Sequence, residues 1–172
     1  ARSTLTKFCD CRAAMNAEGQ MTTSQSTLPV TIRPFGSDDE SALIKLWQSC
    51  GLTRPWNDPS RDIARKMAVQ PELFFVAQMG MQVVGSLMGG YDGHRGWAYY
   101  LAVHPEHRRR GIARNLMTTL ESALLEMGCP KLNIMVREDN AAAQGFYNKV
   151  GYGRDAVSTL SRRLIPDQHM PE

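Results

Sequence analysis

A short apolar run, a basic loop and an amphipathic helix follow one another in this chain, and their order limits the fold more than any other feature. The run covers residues 99–103, residues 108–114 hold four arginines, and a helical pattern starts after Gly111. The first turn of a helix leaves backbone N–H groups without helical partners and carries the positive end of the helix dipole. The sequence therefore predicts a strand–loop–helix unit with an anion site at the helix start, suited to a pyrophosphate.

Apolar periodicity divides the chain from Val30 onward into strands and helices. Ser37 or Asp38 is the predicted cap of the first helix, and residues 79–81 form the predicted hairpin connection. The order of the elements predicts a mixed α/β layer fold. Strands are predicted at 30–34, 73–78, 82–90, 97–103, 132–136 and within 153–161; helices are predicted from the cap to Gly51, at 60–69, from 112 to Gly128 and from 139 or 140 to Gly151.

The first part of the chain differs from the rest, because residues 1–29 show no sustained apolar period. We interpret them as a disordered tail or as an extension foreign to the fold, with Met21 as a candidate natural start. Residues 30–172 then form a single domain, which is long enough to enclose a full core.

The composition is that of an ordinary globular protein, with 42% hydrophobic and 22% charged residues. Its four cysteines are scattered without zinc spacing, and no apolar stretch reaches the length that spans a bilayer. The net charge of +3 is small, and the arginine cluster lacks the interleaved aromatic residues of a nucleic-acid site. We therefore expect a cytoplasmic protein without a metal, nucleic acid or membrane as partner.

Two motifs carry a family resemblance. The arginine loop contains neither the Walker Gly-x-x-x-x-Gly-Lys-Ser/Thr nor the Rossmann Gly-x-Gly-x-x-Gly pattern. Residues 108–113, Arg-Arg-Arg-Gly-Ile-Ala, instead match the Arg/Gln-x-x-Gly-x-Gly/Ala motif of the GNAT (Gcn5-related) N-acetyltransferases. Residues 140–152 resemble that family's Asn-x-x-Ala-x-x-Leu/Phe-Tyr-x-x-x-Gly-Phe/Tyr pattern, in the same order and separation. The resemblance extends over residues 30–164, and the loops 56–59 and 89–96 also resemble its YpeA-type branch.

The resemblance implies a fold and a cofactor. The fold is a mixed, twisted sheet of about six to seven strands flanked by helices and splayed between the strands at 97–103 and 131–136. The cofactor is acetyl-CoA, with its pantetheine arm along the first of these strands and its pyrophosphate at the arginine loop. Asn140 is implied as a cofactor contact, although a plain helix cap explains it equally well. The implied cofactor-binding residues are Leu101, Ala102, Val103, Arg108, Arg109, Arg110, Gly111, Ile112, Ala113, Arg114 and Asn140.

The resemblance also implies the catalytic groups. Tyr147 occupies the position of the general acid that protonates the leaving thiolate, although a half-buried helix aromatic would look the same in sequence. A backbone N–H near Val103 would polarise the thioester carbonyl. Some relatives carry a glutamate base at the position of Met135, and a thioether is no base. The general base therefore stays unassigned, with four candidates: Glu138, Asp92, Tyr99 and Tyr100.

The candidate acceptor pocket combines aromatic rings with carboxylates, a mixture suited to an amine or ammonium group. Its residues are Trp56, Asp58, Tyr91 and Asp92, to which His94 is added, although polar loops produce such mixtures by chance. The resemblance implies an N-acetyltransferase that transfers acetyl directly to a small-molecule or peptide amine in a ternary complex. The alternative is a non-catalytic acyl-CoA-binding regulatory module. A homodimer is left open.

Overall fold

The computed structural model describes residues 28–165, so nearly all of the predicted tail at 1–29 lies outside the described residues. Within this part, five strands form one sheet and four α-helices cover it. The strands are β1 Val30–Pro34, β2 Phe74–Met79, β3 Gln82–Tyr91, β4 Gly96–Val103 and β5 Leu132–Ile134. The helices are α1 Glu40–Ser49, α2 Pro59–Met67, α3 Ile112–Glu126 and α4 Ala141–Lys149, with 3-10 turns at Ser37–Asp39, Pro71–Leu73 and Pro105–His107.

The strands lie side by side in chain order, β1-β2-β3-β4-β5. The first four are antiparallel neighbours joined by hairpins or by the α1–α2 segment, and β5 is parallel to β4. This last pair is short, because its register runs only from Gly96–Leu132 to Ala98–Ile134. Residues 99–103 of β4 continue beyond the pairing, which leaves an opening that we call the β4–β5 gap. The splayed sheet expected from the resemblance is therefore present.

The predicted strand count is wrong, since the described residues form five strands rather than six or seven. Residues 153–161 were expected to hold a final strand, but no strand lies among the described residues after β5. Val157 and Leu160 are 78% and 94% exposed there. Their spacing does not follow the alternation that buries one strand face, and the three residues of β5 offer little backbone to pair with.

Two apolar clusters cover the two faces of the sheet. One joins Leu116 and Leu120 of α3 to Ala98 of β4, and partly buried residues of α4 pack against it. The other joins Trp47 of α1 to Ala102 of β4. We call these the α3 face and the α1 face. Alternate residues of β2 and β3 enter opposite clusters, which explains why both strands are largely apolar.

The start of α1 differs from the prediction that Ser37 or Asp38 caps it. Asp39 organises this turn, because its carboxylate accepts from the Gly36 N–H at 2.9 Å and from both terminal nitrogens of Arg33 at 2.6 and 2.7 Å. Arg33 lies on β1, so the choice of capping residue depends on the neighbouring strand. The hydrogen bond from Arg33 keeps the pKa of Asp39 below its usual value.

Candidate functional site

The loop before α3 has the strand–loop–helix geometry that the sequence predicts for an anion site. Arg109 and Gly111 have φ values of +62° and +80°, and no side chain caps the start of α3. The first-turn N–H groups of this 15-residue helix therefore face an uncapped end with the positive dipole behind them. A Cβ built on Gly111 would meet no atom within 4 Å, so the space beside the loop is open. The loop fits a pyrophosphate by its backbone donors.

The side chains of this loop differ in their contacts and in their exposure to solvent. The Arg108 Nε donates to the Val103 carbonyl at 3.2 Å, which ties the loop to the end of β4. Arg110 Nη1 lies 3.4 Å from His107 Nδ1. Arg109 and Arg114 are exposed. Ile112 is buried in the core and Ala113 is half-buried, so their backbone N–H groups are what they present to a ligand.

Residues of β4 line the gap through a bulge. Tyr100 has φ +52°, a left-handed conformation that costs a non-glycine residue about 1–3 kcal/mol and is typical of functional sites. The bulge lies where the register between β3 and β4 shifts. After it, Leu101 and Val103 pack towards the α3 face, while Ala102 is buried on the α1 face. The Val103 carbonyl already accepts hydrogen bonds from Arg108 Nε and, at 3.4 Å, from Cys50 Sγ. The backbone N–H of Val103 is therefore the candidate group for contact with a ligand.

Tyr147 lies on α4 and packs against the α3 face of the sheet. Its ring meets those of Phe146 and Tyr152 edge-on, with centroid separations of 5.1 and 5.8 Å. Burial raises the pKa of Tyr147 to about 12, so the phenol keeps its proton at neutral pH. A protonated phenol is the form that a general acid requires.

Two contacts hold α4 in place. The Tyr152 hydroxyl donates to the Glu121 carboxylate on α3, and burial together with this contact raises the pKa of Tyr152. At the other end, Asn140 Oδ1 accepts from the Ala143 N–H at 3.0 Å. The plain cap that the sequence allowed for Asn140 is therefore present, and its side-chain amide nitrogen is the group that a cofactor contact would use.

The α1 face of the gap carries a second tyrosine, and with it a residue that the sequence analysis missed. The Tyr100 hydroxyl donates to Asp62 Oδ2 of α2 at 2.6 Å. The Trp47 ring stacks on Tyr100 with centroids 4.1 Å apart. Asp62 is four residues before the buried Lys66 and beside the buried Ile63. That helical spacing, which places Asp62 on the inner side of α2, is the signal that could have identified it.

The four predicted acceptor residues form two separate pairs. Asp58 caps α2, accepting from the N–H groups of Ser60 and Arg61 at 2.9 and 3.2 Å, and Trp56 is half-exposed beside it. Tyr91 and Asp92 lie at the β3–β4 hairpin. The side chain of Gln70, just after α2, donates to the Tyr91 carbonyl and accepts from the Tyr91 N–H, both at 2.8 Å. The two pairs therefore lie near opposite ends of α2, about 14 Å long at 1.5 Å per residue.

The four candidate bases differ in pKa, exposure and hydrogen bonding. Backbone N–H groups of Arg95 and His94 and the Trp97 ring hold the pKa of Asp92 at about 2, which makes it a weak proton acceptor at neutral pH. Glu138 is exposed, and Met135 is 52% exposed. Burial raises the pKa of Tyr99. Of the four candidates, Tyr100 has a carboxylate directly behind its hydroxyl.

Two contacts join residues after α4 to the rest of the fold. Lys131 Nζ, just before β5, binds Asp155 Oδ2 at 2.6 Å. Arg163 donates to Asn57 Oδ1 at 3.1 Å, in the loop that precedes α2. The segment between these contacts, residues 155–163, therefore runs from β5 towards α2.

No helix among residues 28–165 is long and apolar enough to cross a membrane. The same range contains no group of three or more His, Cys, Asp or Glu side chains placed to hold a metal ion.

Comparison with known proteins agrees with this architecture. Residues 41–152 match the model of the acetyltransferase (GNAT) family. A Yersinia pestis (strain Pestoides F) protein named acetyltransferase is 56% identical over 137 residues, which cover 80% of this chain and 97% of that protein. Ard1 from Thermoplasma volcanium has a TM-score of 0.67 at 29% identity, covering 74% of this chain and 84% of that one.

A more distant structure shares the fold. AAC(6')-Iy, solved with a bisubstrate analogue, has a TM-score of 0.66 at 15% identity, covering 78% of this chain and 98% of that one. The family match spans well over half of this chain, and it includes both motifs and the helix that joins them. The chain belongs to the GNAT acetyltransferase family and is an N-acetyltransferase that takes its acetyl group from acetyl-CoA.

Proposed function

We propose that this chain transfers acetyl directly from acetyl-CoA to an amine of a small molecule or peptide, both being bound at once. The observation that carries the proposal is the β4–β5 gap, with the anion site at the end of β4 and Tyr147 on the α3 face. A ligand anchored at the start of α3 and extended along β4 would leave the α1 face open to the amine.

In this proposal the first turn of α3 and the loop 108–111 hold the pyrophosphate of acetyl-CoA through backbone N–H groups. The exposed Arg109 and Arg114 add charge beside it. Leu101, Ala102 and Val103 present backbone groups to the pantetheine arm, and the Val103 N–H polarises the carbonyl. The thioester supplies an activated acetyl group, and Tyr147 gives its proton to the departing sulfur.

The first test is thiol release from acetyl-CoA with a panel of primary amines, amino acids and peptides. Tyr147→Phe should lower kcat by about 10²-fold, the usual contribution of a general acid, while it leaves acetyl-CoA affinity within about twofold. Unchanged turnover of this variant would show that another group protonates the thiolate. Calorimetric titration with acetyl-CoA provides the affinity.

The second candidate is a non-catalytic acyl-CoA-binding module. One observation favours it: Met135, and not a carboxylate, occupies the position of the glutamate base of some relatives. This candidate predicts micromolar or tighter acetyl-CoA binding without thiol release from any acceptor in the panel. Acetylated product detected by mass spectrometry would exclude it. The likeness to the YpeA-type branch and the division into a tail and a domain 30–172 remain predictions.

A further inference from the structure

Two aromatic rings of β4 lie uncovered on the α1 face of the sheet. Tyr99 pairs with Met88 of β3, which belongs to the α1-face cluster, and directly opposed residues share a face. Trp97 is two residues earlier on the same strand and therefore lies on the same face. Neither ring is part of the two apolar clusters of the described residues, and Tyr99 is 38% exposed. The α1-face cluster therefore ends before these two rings.

The two rings form one aromatic surface. Their planes are 14° apart and their centroids 6.4 Å apart. Gly90 stands opposite Trp97 on β3 and has no side chain to cover the indole. A cation that is attracted by an aromatic face lies within about 6 Å of the ring centroid, so one cation can be in range of both rings.

A carboxylate borders this surface. Asp92 is exposed, and its Oδ2 accepts from Trp97 Nε1 at 3.1 Å. Burial and, after it, the charge of Asp92 raise the pKa of Tyr99, so the carboxylate lies near both rings. The pKa of Asp92 itself is about 2, chiefly because the backbone N–H groups of Arg95 and His94 donate to Oδ1. The carboxylate is therefore ionised at neutral pH.

Within residues 28–165, no ion pair neutralises Asp92. The nearby Arg95 directs its Nη1 to the His94 carbonyl at 2.9 Å. The charge of His94 is the smallest of the influences that lower the pKa of Asp92. The surface thus combines a negative charge that has no cationic partner with two ring faces, and this combination is complementary to an ammonium group.

The surface lies at the entrance to the β4–β5 gap. Ala98 is the last residue of β4 that pairs with β5, and Tyr99 follows it directly. In the proposed function the reacting amine meets the thioester near Val103, four residues further along β4. Four residues of a strand span about 13 Å at 3.3 Å per residue, and the bulge at Tyr100 shortens this distance. A cation on the aromatic surface is therefore a second group of the acceptor and not the reacting amine.

We propose that Trp97, Tyr99 and Asp92 form a subsite for a second cationic group of the acceptor, an inference that rests on the proposed function. The acceptor is then a primary amine with an ammonium group at the far end of an extended chain. Of the four residues predicted for the acceptor pocket, Asp92 belongs to this subsite. Trp97 and Tyr99 supply the aromatic rings.

The test compares two acceptors of equal chain length that differ only at the far end. Octamethylenediamine carries a second ammonium group there, whereas the amino alcohol of the same length carries a hydroxyl group. The unmodified chain should show a kcat/KM at least about fivefold higher for the diamine, mainly through KM, because two rings and a carboxylate attract the cation. This preference should fall as ionic strength rises, because salt screens exposed charges.

Asp92→Asn removes the charge, while its amide oxygen still accepts from the N–H groups of His94 and Arg95 and retains the hairpin turn. The preference for the diamine should fall below about twofold, and the rate with the amino alcohol should stay within about twofold. Tyr99→Leu should also lower the preference, whereas Tyr99→Phe, which retains the ring face, should keep most of it. Asp38→Asn, the same substitution at an exposed carboxylate outside the subsite, is the matched control and should change neither rate.

Ethylenediamine and ethanolamine provide a control of length. Their second group is too close to the reacting amine to reach the subsite, so Asp92→Asn should leave the ratio of their rates unchanged. A change in this ratio would show that the charge acts at the reacting amine instead, which contradicts the proposal.

Other outcomes also overturn the subsite. Equal rates of the unmodified chain with the long diamine and its amino alcohol would do so, as would a preference that Asp92→Asn leaves intact. Equal losses with both acceptors would mean that Asp92 acts only through the hairpin turn. Acetylation of other amines but of neither long acceptor would remove the subsite and leave the proposed function intact. Acetyl-CoA binding without product from any amine would overturn both.

Discussion

Tyr100 and Tyr147 pack on opposite faces of the sheet, and their hydroxyl groups have different surroundings. Burial among Phe146 and Tyr152 raises the pKa of Tyr147 to about 12, so the phenol keeps its proton at neutral pH. The Tyr100 hydroxyl instead donates to Asp62 Oδ2 at 2.6 Å. A family motif contains Tyr147, whereas no motif points to Asp62, because the contact of Asp62 with Tyr100 joins residues 38 positions apart.

The raised pKa of Tyr147 predicts a dependence of stability on pH. A group whose pKa rises on folding stabilises the protein below its unfolded pKa, here about 10, and this contribution disappears as pH rises through about 12. At pH 11 the loss amounts to about 1.4 kcal/mol for a two-unit shift. Urea unfolding at pH 8 and pH 11 should therefore show a smaller loss for Tyr147→Phe than for the unmodified chain. Equal losses would mean that Tyr147 is as well solvated in the fold as in the unfolded chain.

At the level of elements, most of what the sequence predicts is observed. The hairpin connection at 79–81, the starts of α3 and α4 and the strand before the arginine loop lie where apolar periodicity and local turn chemistry place them. These features depend on neighbours in sequence. The cap of α1 and the missing final strand depend on other parts of the fold, namely Arg33 of β1 and the short β5. Local patterns do not contain that information.

Replacement by alanine should change the free energy of unfolding in opposite directions at Gly89 and Gly145, because only Gly89 lies against α3. A Cβ on Gly89 of β3 would lie 2.2 Å from Leu120 Cδ1 of α3, so Gly89→Ala should destabilise the fold by about 1–3 kcal/mol. Gly145, in α4, has no atom within 4 Å of that position. Gly145→Ala should therefore stabilise by about 0.5–1 kcal/mol, the helix preference for alanine. Chemical denaturation of both variants measures these values, and a neutral Gly89→Ala would mean that α3 lies further from β3.

For the whole molecule, the sheet divides the buried apolar residues into an α3 face and an α1 face and leaves the residues after Gly153 outside both clusters. Leu120 is fully buried, whereas Leu160 is 94% exposed. The β4–β5 gap lies between these two faces.

This division predicts different costs for the same truncation of leucine. Leu120→Ala should cost about 2–5 kcal/mol, because it leaves a cavity between α3 and the sheet. Leu160→Ala should change the free energy of unfolding by less than about 0.5 kcal/mol. Thermal unfolding of both variants at two protein concentrations measures this. A loss above about 1 kcal/mol for Leu160→Ala would show that this side chain is covered in solution.

The sequence by itself determined the family and the cofactor, because both depend on residues that are close together in the chain: the arginine loop, Gly111 and the motif from Asn140 to Tyr152. Backbone N–H groups at a helix start need only a strand, a turn and a helix in succession. Tertiary structure decided which residues share the gap. It separated Trp56 and Asp58 from Tyr91 and Asp92, and it placed Asp62 behind Tyr100. The physical reason is that side chains from distant segments meet only when helices pack on a sheet, and one sequence does not specify that register.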